Sequence, residues 1–237
     1  SHLNAMTARV HEYAAELYKL DKTRAVDALN DADPKLRVLA VRALSLAFSE
    51  VSSGEGVDPA RARAALLERL AIEEHPEPLF ALVTSFIEQL GPTEICTHDA
   101  RAFSAVLHAR AAHCDVTLIA PITHGLARMP LDPELPSRDE AGVPDACSMA
   151  LAAEALEELL VEWLQPGRLV DEDSLASALR SLETLFERPL FTVSKPALCG
   201  VLLEAIDDPA RAPSVRTGAA RALGLVGRSE DLPRLAA

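Results

Sequence analysis

The sequence predicts an all-α chain: an α-solenoid of about five two-helix repeats, preceded by one extra helix. Three observations predict it. The stretch KLRVLAVRALSLAF at 35–48 returns in altered form as SVRTGAARALGLVG at 214–227. Arg37 falls over Arg216, Ala40 over Ala219, and Arg42-Ala43-Leu44 over Arg221-Ala222-Leu223. Aromatics make up only 4% of the residues against 49% hydrophobic, so the core is mainly Leu, Ala and Val. Ala and Leu are strong helix formers, whereas Val and Ile enrichment favours strands. Weaker copies of the repeated stretch recur at steps of roughly 40 residues, the period of paired-helix arrays.

The elements follow in order. A helix at about 7–20 places Val10, Ala14, Leu17 and Tyr18 on one stripe, where it can cap the first repeat. The first helices of the pairs fall at about 22–30, 58–72, 97–113, 144–164 and 193–206. The second helices carry the repeated stretch. In its first copy Leu36, Leu39, Ala40, Ala43, Leu44 and Ala47 follow the i, i+3, i+4, i+7 pattern of a buried face; Val215, Ala219, Ala222 and Leu223 do so in the last. Start signals precede both: Asp33 as N-cap with Pro34 in the first turn, and Asp207, Asp208 and Pro209. The copy at 78–91 keeps the apolar positions, with Phe80 and Ser85 in place of the arginines. The copy from 116 keeps Ala120 and Gly125 but holds Pro121, which predicts a kink. The copy from 174 keeps Ala178, Arg180 and Leu182.

The Arg37 position thus recurs at Phe80, Thr117, Leu175 and Arg216, with one step too long. The excess is the segment 129–145, MPLDPELPSRDEAGVPD, which lacks apolar periodicity and reads as an exposed, mobile surface insertion. Residues 1–5 read as a cloning scar ahead of Met6, and 6–237 as a single repeat domain. After Gly227 the sequence RSEDLPRLAA opens a further helix, with Ser229 as N-cap and Leu232 and Leu235 apolar. That predicts either a segment of a longer array or a short helix covered by a partner or by a second copy, the latter an oligomer through an open C-terminal repeat.

The pattern VRxxAxxALGxxG after an Asp- and Pro-containing turn resembles HEAT repeats, in particular the HEAT-like repeats of phycobilin lyases. The resemblance is strong at 35–48 and 214–227, partial at the other three copies, and together covers most of the chain. It implies architecture and little of activity. It also implies a ladder of Asp and Arg between stacked repeats, here Asp33 with Arg37 and Asp208 with Arg216. Arg42 and Arg221 join Arg37 and Arg216 as repeat-stacking residues that pair with acidic turns or lie along neighbouring repeats. The middle copies lack the Arg, so the ladder is broken there.

The formal charge of −13 argues against nucleic acid and against an anionic membrane surface, which attract Lys and Arg. A basic protein surface is the natural complement. Cys96, Cys114, Cys147 and Cys199 lie far apart, which predicts free thiols in a reducing compartment. No apolar run is long enough to span a bilayer and no signal peptide is recognisable, so a cytoplasmic location is expected. Arg outnumbering Lys, with abundant Ala and Pro, fits a bacterial genome of high GC content.

The candidate partner-binding residues are Glu154, Glu157, Glu158, Glu162 and Trp163. Glu154 and Glu158 are i, i+4 neighbours opposite the stripe Leu156, Leu159, Leu160, Trp163. A solvated face and a strip for a basic partner both fit, with Trp163 as core anchor or binding residue. Asp171, Glu172 and Asp173 extend the acidity. His and Cys bunch between Cys96 and His124, yet His108 and His113 are five apart and cannot chelate from one helix face. His124 falls on the register of Leu44 and Leu223 and reads as core. No Gly-rich phosphate loop, GxSxG elbow, HExxH or EF-hand pattern occurs. No catalytic residue, metal or cofactor is assigned.

The leading expectation is a non-enzymatic scaffold or adaptor that binds a protein partner through its acidic or concave surface. The alternative is an enzyme or enzyme subunit on the same scaffold. The resemblance suggests bilin lyases, though no residue here is assignable to chromophore attachment. HEAT-like DNA glycosylases use a basic, aromatic concave face, which this composition disfavours.

Overall fold

The computed structural model describes residues 2–49, 57–90, 97–166, 168, 171–187 and 196–226. Among these residues the regular structure is helical: α1 (His2–Leu20), α2 (Lys22–Ala28), α3 (Pro34–Ser49), α4 (Pro59–Ile72), α5 (Pro76–Leu90), α6 (His98–Ala111), α7 (Ile119–Arg128), α8 (Met149–Trp163), α9 (Glu172–Phe186), α10 (Pro196–Asp207) and α11 (Pro213–Val226), with a 3-10 turn at Val116–Leu118. The only β pairing among them is two isolated bridges, Asp132 with Ser148 and Arg138 with Pro144. The chain is all-α.

Each start has a local cause. Side-chain oxygens of Asp21, Asp58, Thr97, Ser148 and Asp171 accept from backbone N–H groups of the first turns of α2, α4, α6, α8 and α9. Asp33 accepts from the N–H of Lys35 at the start of α3 (2.9 Å). At the other copy, Asp208 instead closes a turn through Ala210, and Pro213 rather than Pro209 opens α11. Pro121 does not kink α7. It sits in the first turn, where an N–H would lack an intrahelical partner, just after the 3-10 turn.

Two compact units make up the chain, Ser1–Gly91 and Pro92–Ala237. In the first, α3 packs against α1, α2, α4 and α5, so its buried face is wider than the periodicity implies. Val38 and Val41 are buried along with Ala40, Ala43 and Leu44, while Leu36 and Leu39 are half-buried. A hydroxyl–hydroxyl bond joins Ser45 of α3 to Ser85 of α5. In the second unit α9 packs between α7 and α11, α8 packs against both α6 and α10, and α6–α7, α8–α9 and α10–α11 are in contact. The result is two helical layers. Gly218 of α11 permits the α9 contact: a Cβ there would lie 3.2 Å from both Cβ and Cδ1 of Leu179.

The insertion 129–145 is corrected at its base. Met129 and Leu131 are buried, Asp132 donates to Cys147 O (2.8 Å), Met149 N–H returns to Asp132 O (3.1 Å), and Ser148 Oγ donates to Leu135 O (2.8 Å). Its tip is exposed and closes on Gly142, whose φ of 80° suits glycine. The sequence shows prolines and charges there; the backbone bonds that hold the stem leave no periodic trace.

Candidate functional site

The candidate residues fall on two kinds of ground, an acidic helix face and a set of buried arginine anchors. On α8, Leu156, Leu159, Leu160 and Trp163 turn into the core. Glu158 and Glu162 are exposed, while Glu154 and Glu157 are half-buried. Glu162 is not a bare charge: Arg168 Nη2 donates to its Oε1 at 2.7 Å, and the same guanidinium lies 3.9 Å from the centroid of the Trp163 ring. The indole Nε1 of Trp163 is buried with no hydrogen-bond partner. Glu204, exposed on the adjacent α10, adds a carboxylate to this layer of the second unit. Asp171 and Glu172 leave it for structural work: Asp171 caps α9, and Glu172 accepts from Arg211 (2.9 Å) and from the N–H of Ala212 (3.0 Å).

The stacking arginines pair differently from the expected ladder. Arg37 is buried and grips Glu73 bidentately, Nε to Oε2 and Nη2 to Oε1, both at 2.8 Å. Its Nη1 donates to the carbonyls of Asp31 and Ala32. Glu73 also accepts from Arg69 Nε (2.8 Å) and His75 N–H (2.9 Å). Burial alone would raise the Glu73 carboxyl, but the hydrogen bonds from Arg37, Arg69 and His75 hold it below its ordinary value.

The partner of Asp33 is not Arg37 but His11 (2.9 Å), and that bond, with the Lys35 N–H, holds the Asp33 carboxyl low. In the second unit the buried anchor is Arg211, bonded to Glu172 and to the carbonyls of Leu164 (3.1 Å) and Gln165 (3.0 Å). Asp208 lies 3.9 Å from Arg211, while Arg216 is exposed and donates to Ile206 O (3.0 Å). Arg42 and Arg221 are exposed as well.

Glu73, Arg69, Arg211 and Glu172 therefore do what the sequence assigned to Asp33 and Arg216. A signal was present. Glu73 stands three residues before Pro76, as Asp31 stands before Pro34. Arg37 and Glu73 are 36 residues apart, and Arg211 and Glu172 are 39 apart. Each pair thus spans about one repeat, rather than closing within one turn.

The His and Cys residues do not converge: among the described residues no three of His, Cys, Asp and Glu come together as metal ligands. Cys96 lies outside the described residues. Burial pushes the Cys114 thiol up to about 12, against the nearby Arg110, which disfavours a nucleophilic thiolate. Burial also draws the His108 imidazole down to about 4, its bond to the Ala146 backbone opposing, and leaves Nε2 without a partner. His124 is drawn to about 4 by burial and by the charge of Arg128, whose Nη1 lies 3.0 Å from its Nδ1. No helix among the described residues is long and apolar enough to cross a membrane. Set against protein-family models, curated proteins and solved structures, the chain has no match.

Proposed function

We propose that the protein is a non-enzymatic, cytoplasmic α-solenoid scaffold of about five HEAT-like repeats that binds a basic segment of another protein. The observation that carries this reading is the acidic face of α8. Glu158 and Glu162 are exposed and Glu154 half-exposed on a helix whose other side is core, in a chain of formal charge −13. The two-layered stacking of α6 to α11 and the spacing of the repeated stretch support the repeat architecture. A layered helical array offers a broad surface that needs no catalytic constellation to be useful. Arg168 on Glu162 acts here as a placeholder: an incoming Arg or Lys can exchange with it, at the cost of one exposed ion pair worth about 0–1 kcal/mol.

The test is crosslinking capture with the wild-type chain and the Glu154→Gln/Glu157→Gln/Glu158→Gln variant in parallel. The proposal expects a defined protein partner, with Lys or Arg at the crosslinked segment, recovered by wild type and lost by the variant. Equal recovery by both, or no specific partner, overturns it.

A further inference from the structure

The two helical layers of the second unit differ in charge. Helix α8 lines its outward stripe with Glu154, Glu158 and Glu162. In the other layer α7 and α11 contain no acid: their charges are Arg128, and Arg216 with Arg221. Helix α9 packs between those two. Its outward stripe runs Asp173, Ser177, Arg180, Thr184, Glu187, each exposed or half-buried. Two contacts bring three arginines to one level of this layer. Arg128 Nη2 donates to Thr184 Oγ1 (3.3 Å), and that hydroxyl donates to the carbonyl of Arg180 one turn earlier (3.0 Å). On the other side Gly218 lies against Leu179, the neighbour of Arg180, and Arg221 follows Gly218 within one turn. Arg216 turns away, toward the carbonyl of Ile206.

Arg180 and Arg221 are exposed, and their side chains make no ion pair or hydrogen bond among the described residues. Arg128 is half-buried, its Nη1 3.0 Å from His124 Nδ1. Helices in contact lie ~8–10 Å apart, so the three arginines form a row across α7, α9 and α11. The acid set among them is Glu183, whose Oε1 is buried. The acids at the surface, Asp173 and Glu187, stand two turns from Arg180 in either direction. These charges choose the occupant and its direction. A guanidinium grips a carboxylate through two parallel hydrogen bonds, so the row fits Asp or Glu side chains. A segment of acids laid along α9 would meet Asp173 and Glu187; laid across the layer it meets Arg128, Arg180 and Arg221. Acids seven residues apart on a helix are ~10.5 Å apart, close to the helix spacing, whereas an extended chain repeats each face every ~7 Å. A second copy placed symmetrically over α9 would set Arg180 against itself. Phosphate polymers crowd their charges far more densely, and Asp173, Glu187 and the chain's charge of −13 repel them.

We infer that the α7–α9–α11 face binds an acidic helix of another protein, laid across the layer with its carboxylates on Arg128, Arg180 and Arg221. Small residues beside the row, Ala120, Ser177 and Gly224, leave room for that helix, and a Cβ added at Gly224 would meet nothing within 4 Å. No residue of this face belongs to the acidic stripe of α8, so the two surfaces act independently.

Fluorescence anisotropy tests it, with the full chain titrated to about 1 mM against a labelled Ala- and Gln-rich helical peptide of about 20 residues, ~30 Å long, carrying Glu at every seventh position. Wild type should bind the peptide at low ionic strength and release it as salt rises. Arg180→Glu and Arg221→Glu, both at exposed positions, should each weaken binding about tenfold or more, with circular dichroism and melting unchanged. Arg42→Glu, the same change of charge in the first unit, should bind as wild type does. A peptide of the same composition with its Glu residues adjacent should bind several-fold more weakly. No binding by wild type, an equal loss in Arg42→Glu, equal binding of the two peptides, or tighter binding of a single-stranded oligonucleotide of equal charge overturns the inference.

Discussion

Glu73 holds two arginines from a side chain with no exposure to water, and that makes it the most consequential single residue of the first unit. Removing the carboxylate strands the buried Arg37 guanidinium and the half-buried one of Arg69, so Glu73→Ala should cost about 3–5 kcal/mol in chemical denaturation. Glu73→Gln should cost less. The double replacement Arg37→Met/Glu73→Met should recover part of the loss, because no charge of that pair is left unmatched. The histidines act by pH. His108 and His124 stay neutral in the fold down to about 4, against an ordinary value of 6.5, so between those limits the unfolded chain binds more protons. Stability should be intact above about pH 6.5 and fall as pH drops, by up to about 1.4 kcal/mol per unit for each fully buried imidazole and less for the more exposed His124. A shallower profile between about pH 5 and 6.5 for His108→Asn/His124→Asn than for wild type is the expected readout. Arg37 was legible as a structural residue, because its type and register repeat. Its partner was harder to read: Glu73 is one of 36 acids, marked only by its place three residues before Pro76.

Elements were read more easily than partners, because periodicity and caps are local. Helices α3 and α11 lie within a residue of the stretches that predicted them. Helix α1 shows how the same method fails: hydrophobicity chose Val10 for the interior, where the fold exposes Val10 and half-buries His11, whose polarity Asp33 satisfies. Small residues were legible too: Ala219 is buried as its register predicts, and Gly218 beside it faces Leu179. Gly218→Ala should be near neutral, since the gain in helix propensity of about 1 kcal/mol offsets the 3.2 Å contact with Leu179. Gly218→Leu should overpack the α9–α11 contact and cost about 1–3 kcal/mol or more, read as a lower melting temperature. The insertion is tied at its base and exposed at its tip, so trypsin should cut after Arg138 while the two products remain associated through the stem. Release of the fragments in native buffer would show that the stem bonds do not hold it.

For the molecule as a whole, composition announced helices, a property that needs no contact map. The repeated stretch recurs in both compact units with similar spacing. The proposed further helix after Gly227, and the open C-terminal repeat built on it, lie outside the described residues. So do the residues 1–5 that read as a cloning scar, apart from the backbone of α1. What the fold adds to the charge is an address: a face on α8 where carboxylates stand over a fully apolar underside. Charge-driven binding at such a face must weaken with salt, because exposed charges are screened beyond about 8 Å at physiological ionic strength. The decisive measurement is therefore a fluorescence titration of Lys- and Arg-rich peptides against wild type and the Glu154→Gln/Glu157→Gln/Glu158→Gln variant, at low and at physiological salt. The scaffold account predicts saturable binding to wild type that falls with salt and is at least tenfold weaker in the variant, the fold of both proteins being unchanged by circular dichroism. Binding that is equal in the two proteins, or that no basic peptide shows at either salt, would contradict it.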